Sequence, residues 1–178
     1  MMTPPFPDKK YDIIYADPAW EDKGKLMSGS RIENHYPTMP LDDICALSVQ
    51  DIAKDDCLLF MWTTGVNLFD SKDVGAAWGF EYSAVGFVWD KQNPVVACYT
   101  MSDCEFCLIF KRGRIPQPRG KRNIRQFLSC KKGAHSVKPL EIQHRITEMF
   151  PTQSKIELFA RPMELTKIDG WDYWGNEV

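Results

Sequence analysis

The sequence predicts an α/β fold, a mostly parallel sheet with helices on both faces, and three observations carry the prediction. Apolar runs of strand length alternate with segments whose apolar residues recur at helical spacing. The runs at 11–16 and 57–62 are almost unbroken by polar residues, so they read as buried strands. Directly behind the first run stands Asp17-Pro18-Ala19-Trp20, an acid, a turn and an aromatic at a strand's carboxyl end, where open α/β sheets bind their ligands.

The elements follow in order. Residues 11–16 form the first strand. Residues 21–40 are polar and rich in Gly, Ser and Pro, and a loop this long in a compact domain is usually functional or disordered. Within 41–53, Leu41, Ile44, Leu47 and, less regularly, Ile52 fit a short helix; 57–62 is the second strand. Val66, Phe69, Val74 and Ala77 then mark one apolar helical face that ends near Gly79. Residues 80–89 and 105–110 read as further strands. Pro139 suits a first helical position, where its missing N–H costs nothing, and Ile142, Ile146, Met149 and Phe150 keep helical spacing up to Pro151. Residues 155–160 are the last clear strand. The chain contains no internal repeat.

At 178 residues, with 44% hydrophobic residues, 12 prolines and 11 glycines, the composition is that of one globular domain. No apolar stretch approaches the roughly 18 residues that cross a bilayer, and residues 1–10 hold no signal-peptide core. The six cysteines mostly lie in apolar runs, which suits reduced thiols in a cytoplasm. Cys104 and Cys107 imitate half of a zinc site, but no second pair follows at ligand spacing, and no metal is expected. The chain also lacks a Gly-x-Gly-x-x-Gly loop behind any strand and a Gly-Lys-Ser/Thr phosphate loop, which weighs against a nicotinamide dinucleotide or a P-loop nucleotide. Its three histidines are not spaced as metal ligands, and no Ser or Cys nucleophile stands out.

The net charge of −2 conceals an asymmetry. Residues 111–132 hold nine basic side chains and no acid, so the rest of the chain, with 13 basic and 24 acidic residues, carries −11. A basic strip on an acidic body marks a local site for a polyanion. A solvated basic linker is the competing reading, and it leaves the absence of Asp and Glu unexplained.

Asp17-Pro18-Ala19-Trp20 has the chemistry to hold a flat, weakly basic amine. The carboxylate and the Pro18 carbonyl can accept hydrogens from an exocyclic amino group while an indole covers the ring. On these four residues alone, a plain Asp-Pro turn with its Trp packed on the core competes evenly.

Further along, Tyr36-Pro37-Thr38-Met39, Leu58-Leu59-Phe60-Met61-Trp62-Thr63-Thr64-Gly65, His135-Ser136-Val137-Lys138-Pro139, Glu157-Leu158-Phe159-Ala160-Arg161-Pro162 and Gly175-Asn176-Glu177 follow in one order. In that order these motifs resemble the S-adenosylmethionine-dependent adenine methyltransferase family that contains the catalytic subunit of the eukaryotic messenger-RNA adenine-methylating complex, together with bacterial and phage members. The resemblance runs from about Tyr11 to Val178. It implies a Rossmann-like sheet with a permuted motif order, in which the catalytic Asp-Pro-Pro-Trp precedes the later cofactor motifs. It also implies catalytic roles for Asp17, Pro18, Ala19 and Trp20 and a cofactor site of Asp17, Lys138, Glu157, Leu158, Arg161, Asn176 and Glu177. Lys138 would meet the cofactor's carboxylate. Tyr36 would border the target base and Glu105 would lie near the acceptor; Arg119, Lys121 and Arg122, in the basic strip, are expected to hold nucleic acid.

Two departures from the family pattern stand out. Ala19 replaces the usual second proline, which costs about 0.4 to 1 kcal/mol of loop order but keeps the Pro18 carbonyl, so a looser site is expected. Only ten residues precede Tyr11, where relatives often carry another cofactor-contacting segment, so modest cofactor affinity is expected. The expected function is methylation of the adenine 6-amino group in DNA, by a cytoplasmic monomer or homodimer without membrane contact. DNA is preferred to RNA because the chain is small and lacks the extra RNA-binding domains of eukaryotic relatives. The alternatives are an RNA methyltransferase, a catalytically silent nucleic-acid-binding partner subunit, and a small-molecule α/β enzyme. A silent partner would usually have lost Asp17, and a small-molecule enzyme would leave the basic strip unexplained.

Overall fold

The computed structural model describes residues 4–21, 38–96, 99–132, 137–160 and 167–176. Seven strands form one sheet: β1 (Tyr11–Ala16), β2 (Ala53–Thr63), β3 (Glu81–Val96), β4 (Met101–Arg112), β5 (Phe127–Ser129), β6 (Lys155–Leu158) and β7 (Trp171–Trp174). Their spatial order is β5-β3-β4-β2-β1-β6-β7. Only β4 opposes the rest, pairing antiparallel with β2 and β3, while β1 pairs parallel with both β2 and β6. The carboxyl ends of six strands therefore share one edge with the amino end of β4.

Helices cover both faces, as the sequence predicts. On one, α1 (Leu41–Cys45), a 3-10 turn (Val49–Ile52) and α2 (Leu68–Ala77) bring Ile44, Ile52 and Val74 onto Ile14, Leu59, Phe110 and Ile156. On the other, α3 (Leu140–Met149) lays Ile142 and Ile146, with Phe150 beyond its end, over Ile13, Phe60 and Trp62. Alternate residues of β2 divide cleanly between the faces, which fixes its register. In β1 the pairing shifts between Tyr11 and Ile13. Tyr11 and Ile14 consequently face α1 and α2 while Ile13 and Tyr15 face α3.

Several predicted elements change in the fold. The helix expected over 41–53 stops at Cys45 and resumes as a 3-10 turn, because the chain must already be extended at Ala53 to start β2. The second helix exists, but its predicted apolar face does not: Val66 is 63% and Phe69 84% exposed, and the buried stripe is Ser71, Val74 and Gly75. Leu140 opens α3 with Pro139 as its N-cap, one position outside the expected place. β3 and β4 extend well beyond the ranges read from sequence, and β5 and β7 are additions.

Candidate functional site

Asp17 follows the last residue of β1, where the strand's backbone pairing ends. Its N–H reaches the Leu158 carbonyl at 3.5 Å, and the turn is closed by Trp20 N–H donating to the Pro18 carbonyl at 2.8 Å and Met39 N–H to the Ala19 carbonyl at 2.8 Å. A backbone carbonyl makes this last contact, so the bond itself does not depend on the side chain at position 19. Trp20 is half-buried, packs against the core, and donates its indole N–H to the Trp62 carbonyl at 3.0 Å. The packed-tryptophan turn is thus present, with the acid beside it still partly open to solvent.

Three distant segments meet at Asp17. Lys138, two residues before α3, places Nζ 2.9 Å from Asp17 Oδ2 and 3.2 Å from Glu105 Oε2 on β4. Lys91 on β3 adds a contact of 3.3 Å to the other Glu105 oxygen. The side chains are little exposed: 13% for Lys138 and 12% for Glu105. Burial alone would lower the Lys138 pKa, but the carboxylates of Asp17 and Glu105 hold it above the ordinary lysine value. Burial would raise the Glu105 carboxyl, and Lys138 and Lys91 outweigh it to hold it low. The Lys138 ammonium also lies 5.7 Å from the centre of the Trp62 ring.

Glu157, on β6, is a carboxyl of different character. Burial pushes it up to about 7; Gln143 of α3 donates a short hydrogen bond to it, and the Asp17 charge adds to the rise. Gln143 Oε1 is buried without a hydrogen-bond partner among the described residues. Nearby, Ala160 N–H bonds the Trp174 carbonyl at 3.0 Å, and a Cβ on Gly175 would come within 2.4 Å of the Ala160 carbonyl, so only glycine permits this closure. Leu158 is buried in the core, and Asn176 is exposed beyond β7. Tyr36, Arg161 and Glu177 lie outside the described residues.

Asp17, Glu105 and Lys138 are thereby brought together, with Glu157 close by. The middle of the basic strip is elsewhere. Gly120 and Lys121 donate their N–H groups to the Met149 and Glu148 carbonyls at 2.9 and 2.8 Å, capping the end of α3, at the amino edge of the sheet. Arg119 lies over the Phe150 ring, and Lys121 pairs with Glu148 at 2.9 Å. The strip then climbs through β5, and Lys132 N–H meets the Lys91 carbonyl at 3.2 Å, so Lys131 and Lys132 reach the site edge while Arg119, Lys121 and Arg122 stand at the opposite one. Sequence reading assigns no site role to Lys91, Trp62 or Gln143, although Trp62 stands within one of the family motifs. The position of Trp62 at the carboxyl end of the strand next to β1 was the available signal; Lys91 and Gln143 carried none.

The donor set suits a ligand that carries a carboxylate and hydroxyls. An ammonium has three N–H donors, and Lys138 commits two to the carboxylates found here, leaving one for a ligand carboxylate. The partnerless Gln143 oxygen and the raised Glu157 carboxyl can meet hydroxyls.

Residues 11–177 match the family model MT-A70. The type II methyltransferase M.MunI of a Mycoplasma species is 46% identical over 192 residues, covering 98% of this chain and 81% of that protein. The human N(6)-adenosine-methyltransferase catalytic subunit METTL3 is 27% identical over 182 residues, and an MT-A70-like N(6)-adenosine-methyltransferase of Drosophila melanogaster 29%. The alignments cover 95% of this chain but only 28% and 27% of those two proteins.

Proposed function

From the premise that this chain belongs to the MT-A70 family, we infer that it is a methyltransferase acting on the 6-amino group of adenine, with DNA as its substrate and S-adenosylmethionine as its donor. The observation that carries the choice of DNA is the 46% identity to a type II methyltransferase along nearly the whole of this chain and most of that protein. The N(6)-adenosine methyltransferases are less similar and extend far beyond the matched region. The five free cysteines among the described residues suit a cytoplasmic protein.

S-adenosylmethionine, when bound, supplies a methyl group already activated by a sulfonium. Lys138 would hold its carboxylate, and Glu157, Asn176 and, by resemblance, Arg161 and Glu177 would hold the nucleoside part. On the acceptor side, the 6-amino nitrogen is a poor nucleophile because its lone pair is delocalised into the ring. Asp17 accepts one amino hydrogen; the Pro18 carbonyl, which already takes the Trp20 N–H, keeps a second lone pair for the other. Acceptors fixed in advance favour the pyramidal amine and lower the barrier to in-line attack. Trp20, pinned to the Trp62 carbonyl, keeps the turn from swinging. No separate base is needed, since the proton leaves after transfer.

The test is incubation with tritiated S-adenosylmethionine and, separately, DNA and RNA, followed by nucleoside analysis. Labelled N6-methyldeoxyadenosine from DNA is the expected result. Label confined to RNA would reverse the choice of substrate, and no label in either would leave the silent-partner reading.

A further inference from the structure

The β3–β4 ladder does not stop at the site. Beyond Asp90, paired with Cys104, it continues to Val95, paired with Ser102, and Val96, paired with Met101, after an irregularity that accommodates Gln92 at a φ of 51°. This arm rises from the edge that carries Asp17. Its foot belongs to the ion network, because Lys91 is the residue that pairs with Glu105, and Glu105 shares Lys138 with Asp17. The foot is also braced: Ser129 Oγ donates to Asp90 at 2.7 Å, and the Gln92 amide donates to Ser129 at 2.9 Å. Such bracing holds the arm at a fixed angle to the site.

The far part of the arm has an unusual surface. Residues 92–102 contain no charged side chain. Val95, Val96, Tyr99 and Met101 are all exposed, Val96 at 72% and Tyr99 at 99%. A cluster of exposed apolar side chains beside a site marks an interaction surface. Two exposed cations, Lys131 and Lys132, stand at the foot, and Lys132 is tied to the arm through the Lys91 carbonyl. Cations below and an aromatic at the tip match the two layers of a nucleic acid, phosphates outside and stacked bases within.

We propose that the arm opens the duplex: Lys131 and Lys132 contact backbone phosphates while Tyr99 enters the base stack in the gap left by the target adenine. This rests on the reading of the chain as a DNA adenine methyltransferase. Within a duplex the 6-amino group is paired and stacked, so it reaches Asp17 only after the nucleotide swings out, and an inserted side chain offsets the lost stacking. The tyrosine is suited to insertion because its side chain is 99% exposed and free to enter a stack.

The test uses the full chain and a duplex carrying the mapped methylation sequence. In one version the target adenine faces thymine; in the other it faces an abasic position, which removes most of the opening cost. Methylation of the paired duplex by the wild type establishes the underlying reading independently. Tyr99→Ala is then expected to lose about 10- to 100-fold in kcat/KM on the paired duplex and less than about threefold on the abasic one, the range that one aromatic–base stack supplies. Tyr99→Trp should restore the paired duplex to within a few-fold. An equal loss on both duplexes, or no loss on either, overturns the proposal. So does a wild-type dimer that Tyr99→Ala converts to monomer in sedimentation, because the tip would then be occupied by a second copy of the chain.

Discussion

Replacing Lys138 with Met removes the one ammonium shared by Asp17 and Glu105 while nearly keeping the side-chain volume. Breaking a buried ion pair from one side costs about 3 to 5 kcal/mol, which for a chain of this size lowers the melting temperature by about 6 to 20 °C. A more specific consequence lies in the pH dependence. Each carboxylate oxygen contacts the same Nζ, at 2.9 and 3.2 Å, so without the lysine two like charges face one another. At a separation of about 6 Å and an effective dielectric constant of about 20 they repel by about 3 kcal/mol. In the wild type, Lys138 holds Glu105 below its ordinary value, so that group's stabilisation is present above the ordinary carboxylate pKa and is lost only as pH falls through the lower folded value. The Lys138 pKa is raised, so its stabilisation is complete at neutral pH and is lost only in strong alkali. In the variant the sign reverses: proton uptake relieves the repulsion, and the stability it restores is lost again as pH rises. The difference in unfolding free energy between wild type and Lys138→Met, from urea titrations, is therefore expected to shrink by about 2 kcal/mol between pH 8 and pH 5. A difference constant across that range would refute the shared-cation reasoning.

The remaining expectations concern transfer, binding, salt and a second carboxyl. Asp17→Ala should abolish methyl transfer while donor affinity, by calorimetry, stays within a few-fold; full turnover would remove Asp17 from the chemistry. Lys138→Met should weaken donor binding about 10- to 100-fold, since a hydrogen bond to a charged group contributes roughly 1.5 to 3 kcal/mol, and unchanged affinity would mean the ammonium serves only the two carboxylates. Neutralising Lys131 and Lys132 together should flatten the slope of log affinity against log salt on duplex DNA by about 2, whereas the Arg119, Lys121 and Arg122 triple variant should change it by less than about 1. The reverse ranking would place DNA at the amino edge. Glu157→Gln should remove a pH dependence present in the wild type: the folded carboxyl, near 7, holds its proton more tightly than the unfolded chain, so stability is full below the ordinary carboxylate range and declines by about 3 kcal/mol as pH rises through 7. Parallel stability curves at pH 5 to 8 for the two proteins would count against the buried, protonated state.

The parts of the fold legible in the sequence are those buried on both sides. β1, β2 and β6 lie in the middle of the sheet and read as apolar runs, and α3 covers the sheet with a regular stripe of Ile142, Ile146 and Phe150. β5 and β7 are the two edge strands, of three and four residues, too short to repeat any pattern. The α2 face is not legible in the sequence because the helix buries Ser71 and Gly75 beside Val74 and leaves Phe69 in water, so hydrophobicity points away from the core. At the site, Asp17 and Lys138 are legible from motifs and Glu105 from the family resemblance alone, but their meeting is not. It depends on the antiparallel insertion of β4, which brings its amino end to the edge where the other strands finish. Lys91 and Gln143 gave no sign at all, since a lysine after a strand and a glutamine in a helix are ordinary surface residues until a carboxylate is placed opposite.

The parallel bridge between Trp20 and Met39 joins the two ends of the segment that lies between them. The two ends are fastened to each other by a backbone bond, Met39 N–H to the Ala19 carbonyl, and the Trp20 indole holds the base to the Trp62 carbonyl, so the fastening makes no demand on the side chains of the intervening segment. A segment closed at its base in this way can be lengthened or exchanged at little energetic cost, because doubling a loop adds only about 0.6 kcal/mol of closure entropy. The chain thus has a socket beside Asp17, closed at its base, into which segments of different sequence and length can be grafted without refolding the sheet.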